Sequence, residues 1–350
     1  MSDSPIALGD FDFSYPDELV AQEPIYPRGA SRLLALLQNG RTEETQFGDL
    51  KKYLRSGDLL LLNTTKVLKA RVEAKRATGG RVELLFERSL EVHPDGTSTW
   101  LSLARPAKAL KEGAELECGE YRLKVGGRQG MFVEIRLPLP AEEFFPRFGA
   151  LPLPPYIQRD ATAADDIRYQ PVFAKEIGAV AAPTASLHFT EAHLLELASA
   201  GIESAPLVLH VGSGTFLPVR RENAEDVRQH SMHHERYEIP EETIKKIAKA
   251  KASGGRVVAV GTTAVRALES FATTDLKIGD TNLFIYPGYE FQLVDAMITN
   301  FHQPRTTLLM MVSAFAGRDR VLSAYNQAIA SNFRLFSYGD AMFLERPESE

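Results

Sequence analysis

One cysteine, Cys118, stands alone in 350 residues. That excludes an intramolecular disulfide framework and any zinc site built on cysteines. No run approaches the roughly 18 consecutive apolar residues that a membrane span needs. The opening Met1-Ser-Asp-Ser-Pro5 has neither the basic nor the apolar region of an export signal, so the expected compartment is the cytoplasm. An excess of positive charge is missing too: 40 Lys and Arg against 46 Asp and Glu give −6. Such a chain is no general nucleic-acid coat, although a local basic face is still open to it. There is no P-loop lysine, nucleophile elbow, kinase set, deaminase signature or Gly-x-Gly-x-x-Gly loop.

What is present is globular. Hydrophobic residues make up 44% and charged residues 25%, enough for a sizeable core, and the length suggests two domains. Asp58-Leu-Leu-Leu-Leu-Asn63 reads as a strand covered on both faces, preceded by a short helix over Thr45 to Leu54. Between Lys69 and Arg147 the texture changes to six short alternating strands. They begin near Ala70, Arg81, Trp100, Ala114, Tyr121 and Met131, with turns at Gly79-Gly80, Pro94-Asp-Gly96, Gly119-Glu120 and Gly126-Gly127. A small antiparallel barrel is the expectation.

Beyond the proline-rich passage at Leu151-Pro-Leu-Pro-Pro155, strands and helices alternate. Strands are expected at Val180–Ala182, Leu207–Val211, Arg256–Val260 and Leu283–Tyr286. Helices are expected over 191–200, 241–252, 263–272, 306–316 and 319–331. The predicted fold is therefore a layered α/β/α domain, residues 1–68 and 148–350, interrupted by an inserted six-stranded β-barrel at 69–147. The insert carries 14 Lys and Arg against 12 Asp and Glu, a net +2, which leaves −8 for the remainder. Its clusters Arg71, Lys75, Arg76, Arg81 and Arg105, Lys108, Lys111 read either as an RNA-facing patch or as solvated barrel surface.

Three kinds of motif carry chemistry. Val260-Gly-Thr-Thr263 and Gly212-Ser-Gly-Thr215 each follow a strand, and the first opens a helix, where backbone amides are ready for an anion. The cluster His230-Ser-Met-His-His-Glu235 has two histidines four apart but no third ligand, so hydrogen-bonding or acid–base histidines are favoured over a metal site. Pro183-Thr-Ala-Ser-Leu-His-Phe-Thr190, Thr299-Asn-Phe-His-Gln-Pro304 and Ser337-Tyr-Gly-Asp340 place polar groups where strands feed loops, the usual position for catalytic residues in such sheets.

At these residues the chain resembles the S-adenosylmethionine:tRNA ribosyltransferase-isomerase family of queuosine biosynthesis. Matching blocks run nearly end to end. They include Gly57-Asp-Leu-Leu-Leu-Leu-Asn-Thr-Thr-Lys-Val67, Pro152-Leu-Pro-Pro-Tyr-Ile157, Tyr169-Gln170 and Ala181–Thr190. His210-Val-Gly-Ser-Gly-Thr-Phe216, Met232-His-His-Glu235, Tyr286-Pro-Gly-Tyr289, Thr299-Asn-Phe-His302 and Phe336–Met342 complete the set. The resemblance implies transfer and isomerisation of the ribosyl group of S-adenosylmethionine onto 7-aminomethyl-7-deazaguanine at the tRNA wobble position, giving epoxyqueuosine, adenine and methionine. It implies no metal and no cofactor, S-adenosylmethionine being a substrate; a monomer is expected, and no membrane partner.

Removing the 5′ proton beside the sulfonium needs a base in a dry pocket, and adenine needs a proton donor as it leaves. His188 or His233 is the candidate base, with Asp340 or Glu235 orienting it and His302 as the acid. Thr184, Gly212, Gly214, Thr215, Gly261, Thr262, Thr263 and Asn300 are the candidate S-adenosylmethionine contacts. Arg71, Lys75, Arg76 and Lys108 are the candidate tRNA contacts. Two rivals stand beside this reading: a tRNA-binding module without chemistry, and a methyltransferase, which the missing glycine loop disfavours.

Overall fold

The computed structural model describes residues 4–107, 110–212 and 224–348. Two short 3-10 turns lead into β1 (Arg32–Leu36), β2 (Thr42–Gln46), a 3-10 helix (Phe47–Tyr53), β3 (Leu59–Asn63) and β4 (Thr65–Val67). Next come β5 (Arg71–Arg76), β6 (Arg81–Val92), β7 (Ser98–Arg105), β8 (Glu115–Cys118), β9 (Tyr121–Gln129) and β10 (Phe132–Arg136). They are followed by α1 (Ala141–Phe148), β11 (Gly149–Ala150), α2 (Asp165–Arg168), β12 (Glu176–Ala179) and a 3-10 helix (Thr184–His188). The chain continues as α3 (Glu191–Ser199), β13 (Glu203–Leu209), β14 (Glu235–Glu238), α4 (Glu241–Ala252), β15 (Val257–Val260) and α5 (Thr262–Thr274). Last are β16 (Ile278–Thr281), β17 (Ala296–Asn300), α6 (Thr307–Ala316), α7 (Arg318–Ala330) and β18 (Ala341–Glu345).

The six strands β5-β6-β7-β10-β9-β8 form an antiparallel barrel, closed where Lys75 and Arg76 of β5 pair with Glu117 and Leu116 of β8. Alternation fills it: Val72, Ala74, Val82, Leu84, Phe86, Leu123, Val125, Val133 and Ile135 point inward. Helix α1 lays Phe144 and Phe145 against Phe86, and Phe145 against the single tryptophan, Trp100. Gly126-Gly127 is not the turn its composition suggested. It lies inside β9, where the register against β10 slips beside Glu134. A Cβ on Gly126 would stand 3.0 Å from Glu134 Cβ, so the bulge, not a reversal, uses the glycine.

The large sheet has the order β16-β14-β13-β3-β15-β17-β18-β1-β2. Its centre, β13-β3-β15-β17, is parallel. Leu59 and Leu61 face α4 to α7, whereas Leu60 and Leu62 face α3 and the 47–53 helix, so both faces are covered. This is the layered α/β/α arrangement. Strand β18 runs antiparallel to β17 and parallel to β1. Residues 337–340, before β18, and Ser31, before β1, are thereby brought to the end where the four parallel strands finish.

Three expected elements differ. The strand expected at Val180–Ala182 lies just before that range, as β12 over Glu176–Ala179, and 180–182 is irregular chain. Residues 45–54 are the end of β2 and a 3-10 helix, because β2 pairs along β1 as far as Gln46. Leu283–Tyr286 is irregular chain that buries Ile285, and the apolar strand of that region is β17. Among the described residues no helix is long and apolar enough to cross a membrane.

Candidate active site

A cleft opens at the carboxyl ends of β15 and β17, where ligands bind in sheets of this kind. Gly261, with φ +92° and ψ 153°, turns the chain from β15 into α5, a conformation essentially confined to glycine. No side chain caps that helix, so the first-turn amides at Thr262 and Thr263 are left for a ligand on the cleft wall. Asn63, at the end of β3, braces the floor. It exchanges bonds with Leu209 N–H (3.1 Å) and C=O (3.0 Å), and donates to Thr263 Oγ1 at 3.3 Å. Thr184, Asn300, His302, Tyr156, Tyr169 and Ser337 complete the polar lining.

His188 ends the 184–188 helix and is buried. Its Nδ1 lies 2.7 Å from Ser31 Oγ, while Nε2 has no hydrogen-bond partner. Burial pushes its pKa down to about 4, and the neighbouring Asn300 side chain acts in the opposite sense. Asn300 donates to Phe336 C=O at 3.0 Å and keeps Oδ1 unbonded. Two orphaned polar atoms, one on each residue, thus sit in the same buried neighbourhood, where an unmade bond costs about 1–3 kcal/mol. His302 has Nε2 2.9 Å from Thr299 Oγ1, and its backbone N–H donates to Tyr325. Burial drives its pKa down to about 3, so the ring is neutral at pH 7. A neutral ring acts through a hydrogen bond, and His302 remains the candidate acid towards adenine.

The carboxylates do other work than expected. Asp340 accepts from the backbone amides of Arg32 (2.7 Å) and Arg334 (2.8 Å), so it ties the start of β1 to the approach to β18. Glu235 accepts from Gly212 N–H at 3.0 Å and forms a buried ion pair with Arg266 of α5. Neither orients His188; Ser31 does. His233 is half-buried just ahead of β14; neither it nor His188 is among the residues that line the cleft. Gly214, Thr215 and Lys108 lie outside the described residues. Among the described residues no three His, Cys, Asp or Glu side chains converge as metal ligands.

Ser31, Tyr156, Tyr169 and Ser337 were not on the list of site residues drawn from the sequence. Tyr156 and Ser337 share a 2.6 Å hydrogen bond, and the Tyr169 hydroxyl is buried without a partner. The proline block around Tyr156 and the Tyr169-Gln170 pair were the available signals. On the barrel, Arg71 spends its guanidinium on Leu153 C=O (3.1 Å). Lys75 is exposed and Arg76 half-buried.

Comparison with known proteins fits this geometry. The queuosine biosynthesis protein family matches residues 8–344. An S-adenosylmethionine:tRNA ribosyltransferase-isomerase of Ralstonia pickettii is 48% identical over 99% of this chain and 96% of its own. The protein of the same name from Azoarcus is 48% identical over 97% and 98%. The crystal structure of S-adenosylmethionine tRNA ribosyltransferase from Thermotoga maritima superposes with a TM-score of 0.55 at 36% identity, covering 95% of this chain and 99% of that one. With its barrel, its mixed sheet and a match along almost its whole length, the chain belongs to the queuosine biosynthesis family and is a transferase.

Proposed function

We propose that this chain transfers and isomerises the ribosyl group of S-adenosylmethionine onto 7-aminomethyl-7-deazaguanine at the wobble position of tRNA, releasing adenine and methionine and leaving epoxyqueuosine. The observation that carries the reading is the pairing, at one end of the sheet, of an uncapped helix N-terminus with a neutral, buried histidine. The amides of Thr262 and Thr263 suit the methionine carboxylate, and the hydroxyls of Thr184 and Thr263 suit the ribose. His188 is unprotonated at pH 7, and in the tautomer whose Nδ1–H donates to Ser31 Oγ its Nε2 carries the lone pair that removal of the 5′ proton requires. Burial keeps water from the resulting ylide. His302 offers a neutral hydrogen bond to adenine as it departs.

Residues 1–68 and 148–350 act as the catalytic domain in this reading. The barrel at 69–147 contributes tRNA contacts through Lys75 and Arg76. The chain works as a cytoplasmic monomer without a cofactor. The test is to incubate the protein with S-adenosylmethionine and tRNA carrying the aminomethyl base. Adenine and methionine should appear in equal amounts. S-adenosylhomocysteine instead would mark a methyltransferase, and binding without turnover would mark a tRNA-binding module.

A further inference from the structure

Next to the cleft already described is a small hollow lined by Ser31, His188, Leu187, Arg168 and Tyr338; His188 lines this hollow and not the cleft, and Ser337 lines both. Around the hollow the cations are held in an unusual way. Arg28 donates to the carbonyls of Ile167 and Gln170, each at 2.9 Å, and Arg168 reaches back to the carbonyl of Ile25 at 2.8 Å. Arg334 donates to the carbonyl of Glu23. None of the three makes an ion pair with a described carboxylate. The nearest acids to Arg334 are Glu23 and Asp340, and Asp340 is occupied by backbone amides. Arg28 and Arg168 repel one another, and Arg28 and Arg334 both oppose a proton on His188. Three guanidiniums held by neutral carbonyls, Arg168 on the hollow and Arg28 and Arg334 near enough to act on His188, leave a local positive excess that Asp340 and Glu23 offset at Arg334.

Beside them lies an exposed aromatic ring. Tyr26 is 88% exposed, the highest among the large hydrophobic side chains, and belongs to the same 25–28 segment that clasps 167–170. Exposed aromatics beside unpaired arginines match what single-stranded nucleic acid recognises: a face for stacking and cations for phosphates. We propose that the surface around this hollow receives an RNA loop, with its phosphates on Arg28, Arg168 and Arg334 and a base stacked on Tyr26. This deepens the reading above and rests on it: the RNA meets the chain on the His188 side of the cleft assigned to S-adenosylmethionine. The barrel joins the same surface, since Lys69 pairs with Asp166 at 2.6 Å, two residues before Arg168.

The test measures two affinities separately, using a synthetic anticodon stem–loop carrying 7-aminomethyl-7-deazaguanine and S-adenosylmethionine alone. Tyr26→Ala should weaken stem–loop binding by roughly five- to a hundredfold, the usual worth of one stacked base, and Tyr26→Trp should restore it. The double variant Arg28→Gln, Arg168→Gln should lower the slope of log affinity against log salt by about one to two, at somewhat under one per phosphate contact. Affinity for S-adenosylmethionine should stay within twofold in all three. Unchanged stem–loop affinity in Tyr26→Ala overturns the proposal. So does a loss of S-adenosylmethionine affinity in the arginine pair, which would give those cations to the methionine carboxylate. If the arginine pair fails to fold, the Tyr26 variants decide alone. A wild-type protein that binds the stem–loop yet releases no adenine would sink the proposed reaction and leave this surface standing.

Discussion

His188 and His302 are both neutral for the same reason, burial, but they keep different atoms free. His188 holds Nε2 open beside Asn300, whereas His302 has Nε2 against Thr299. If His188 takes the 5′ proton, His188→Ala should cut turnover by roughly two to four orders of magnitude while S-adenosylmethionine still binds. Ser31→Ala, which loosens the tautomer, should cost less in kcat and leave KM nearly unchanged. A His188→Ala enzyme with wild-type turnover would pass the role to His233. The same burial has a consequence for stability. Each ring's folded pKa lies below the ordinary 6.5, at about 4 and about 3, so on acidification the unfolded chain takes up protons first. Stability from these groups is therefore full above pH 6.5 and declines as pH falls towards 4, by at most about 3 kcal/mol for His188. Melting temperatures between pH 7 and 4.5 should fall steeply in the wild type and less so in His302→Gln; parallel curves would refute this. Strand-end position made both histidines legible in the sequence. The partner of His188 was not, because Ser31 lies 157 residues away, and proximity of that kind is created by the sheet. The amide partners of Asp340 were hidden for the same reason, since Arg32 lies 308 residues away.

At the scale of elements, the proposed site depends most on the turn from β15 into α5. A Cβ on Gly261 would meet only Ala185 Cβ and Thr263 Oγ1, each at 3.6 Å, so space is available and conformation is the obstacle. Gly261→Ala should cost about 1–3 kcal/mol through its backbone angles and rotate the Thr262 and Thr263 amides off the cleft. The expected readout is a lower melting temperature together with a tenfold or larger loss of S-adenosylmethionine affinity. An alanine variant that melts lower but binds normally would separate the helix terminus from the ligand. Elements with strong local signals were legible: the Leu59–Leu62 run, the barrel strands, and α3 with its Thr190 cap accepting from His193 N–H. Elements defined by distant pairing were not. β18 has no turn-bounded pattern of its own and is held between β1 and β17, whereas β1 does have a local signal, the Asn39-Gly40 turn of its hairpin with β2.

The whole molecule divides its charge as the sequence indicated, with a mildly positive barrel beside a negative remainder. If the barrel also touches tRNA, Lys75→Glu with Arg76→Glu should reduce full-length tRNA affinity and its salt slope, yet leave the isolated anticodon stem–loop bound as tightly as before. Equal losses for both RNAs would place the barrel against the loop itself. Arg71 is a poor choice for such a test, because its guanidinium supports Leu153 and its loss would disturb packing. The fold class was readable from the change of periodicity at Lys69 and its return after Pro138. The site was readable as a set of loops, but the sequence could not say that Tyr156, Tyr169 and Ser337 face those loops, since that depends on β18 entering the sheet in reverse. That strand has a further consequence during synthesis. Arg32 and Asp340, which meet at the start of β1, are separated by 308 residues. A ribosome making this chain must therefore emit nearly all of it before the β1–β2 hairpin can find its neighbour, so the hairpin spends the whole of elongation as an open edge. The barrel, whose strands are all near in sequence, can close long before. Newly made chains stalled ahead of β18 should thus expose a finished barrel on an unfinished sheet, the species on which chaperones would act.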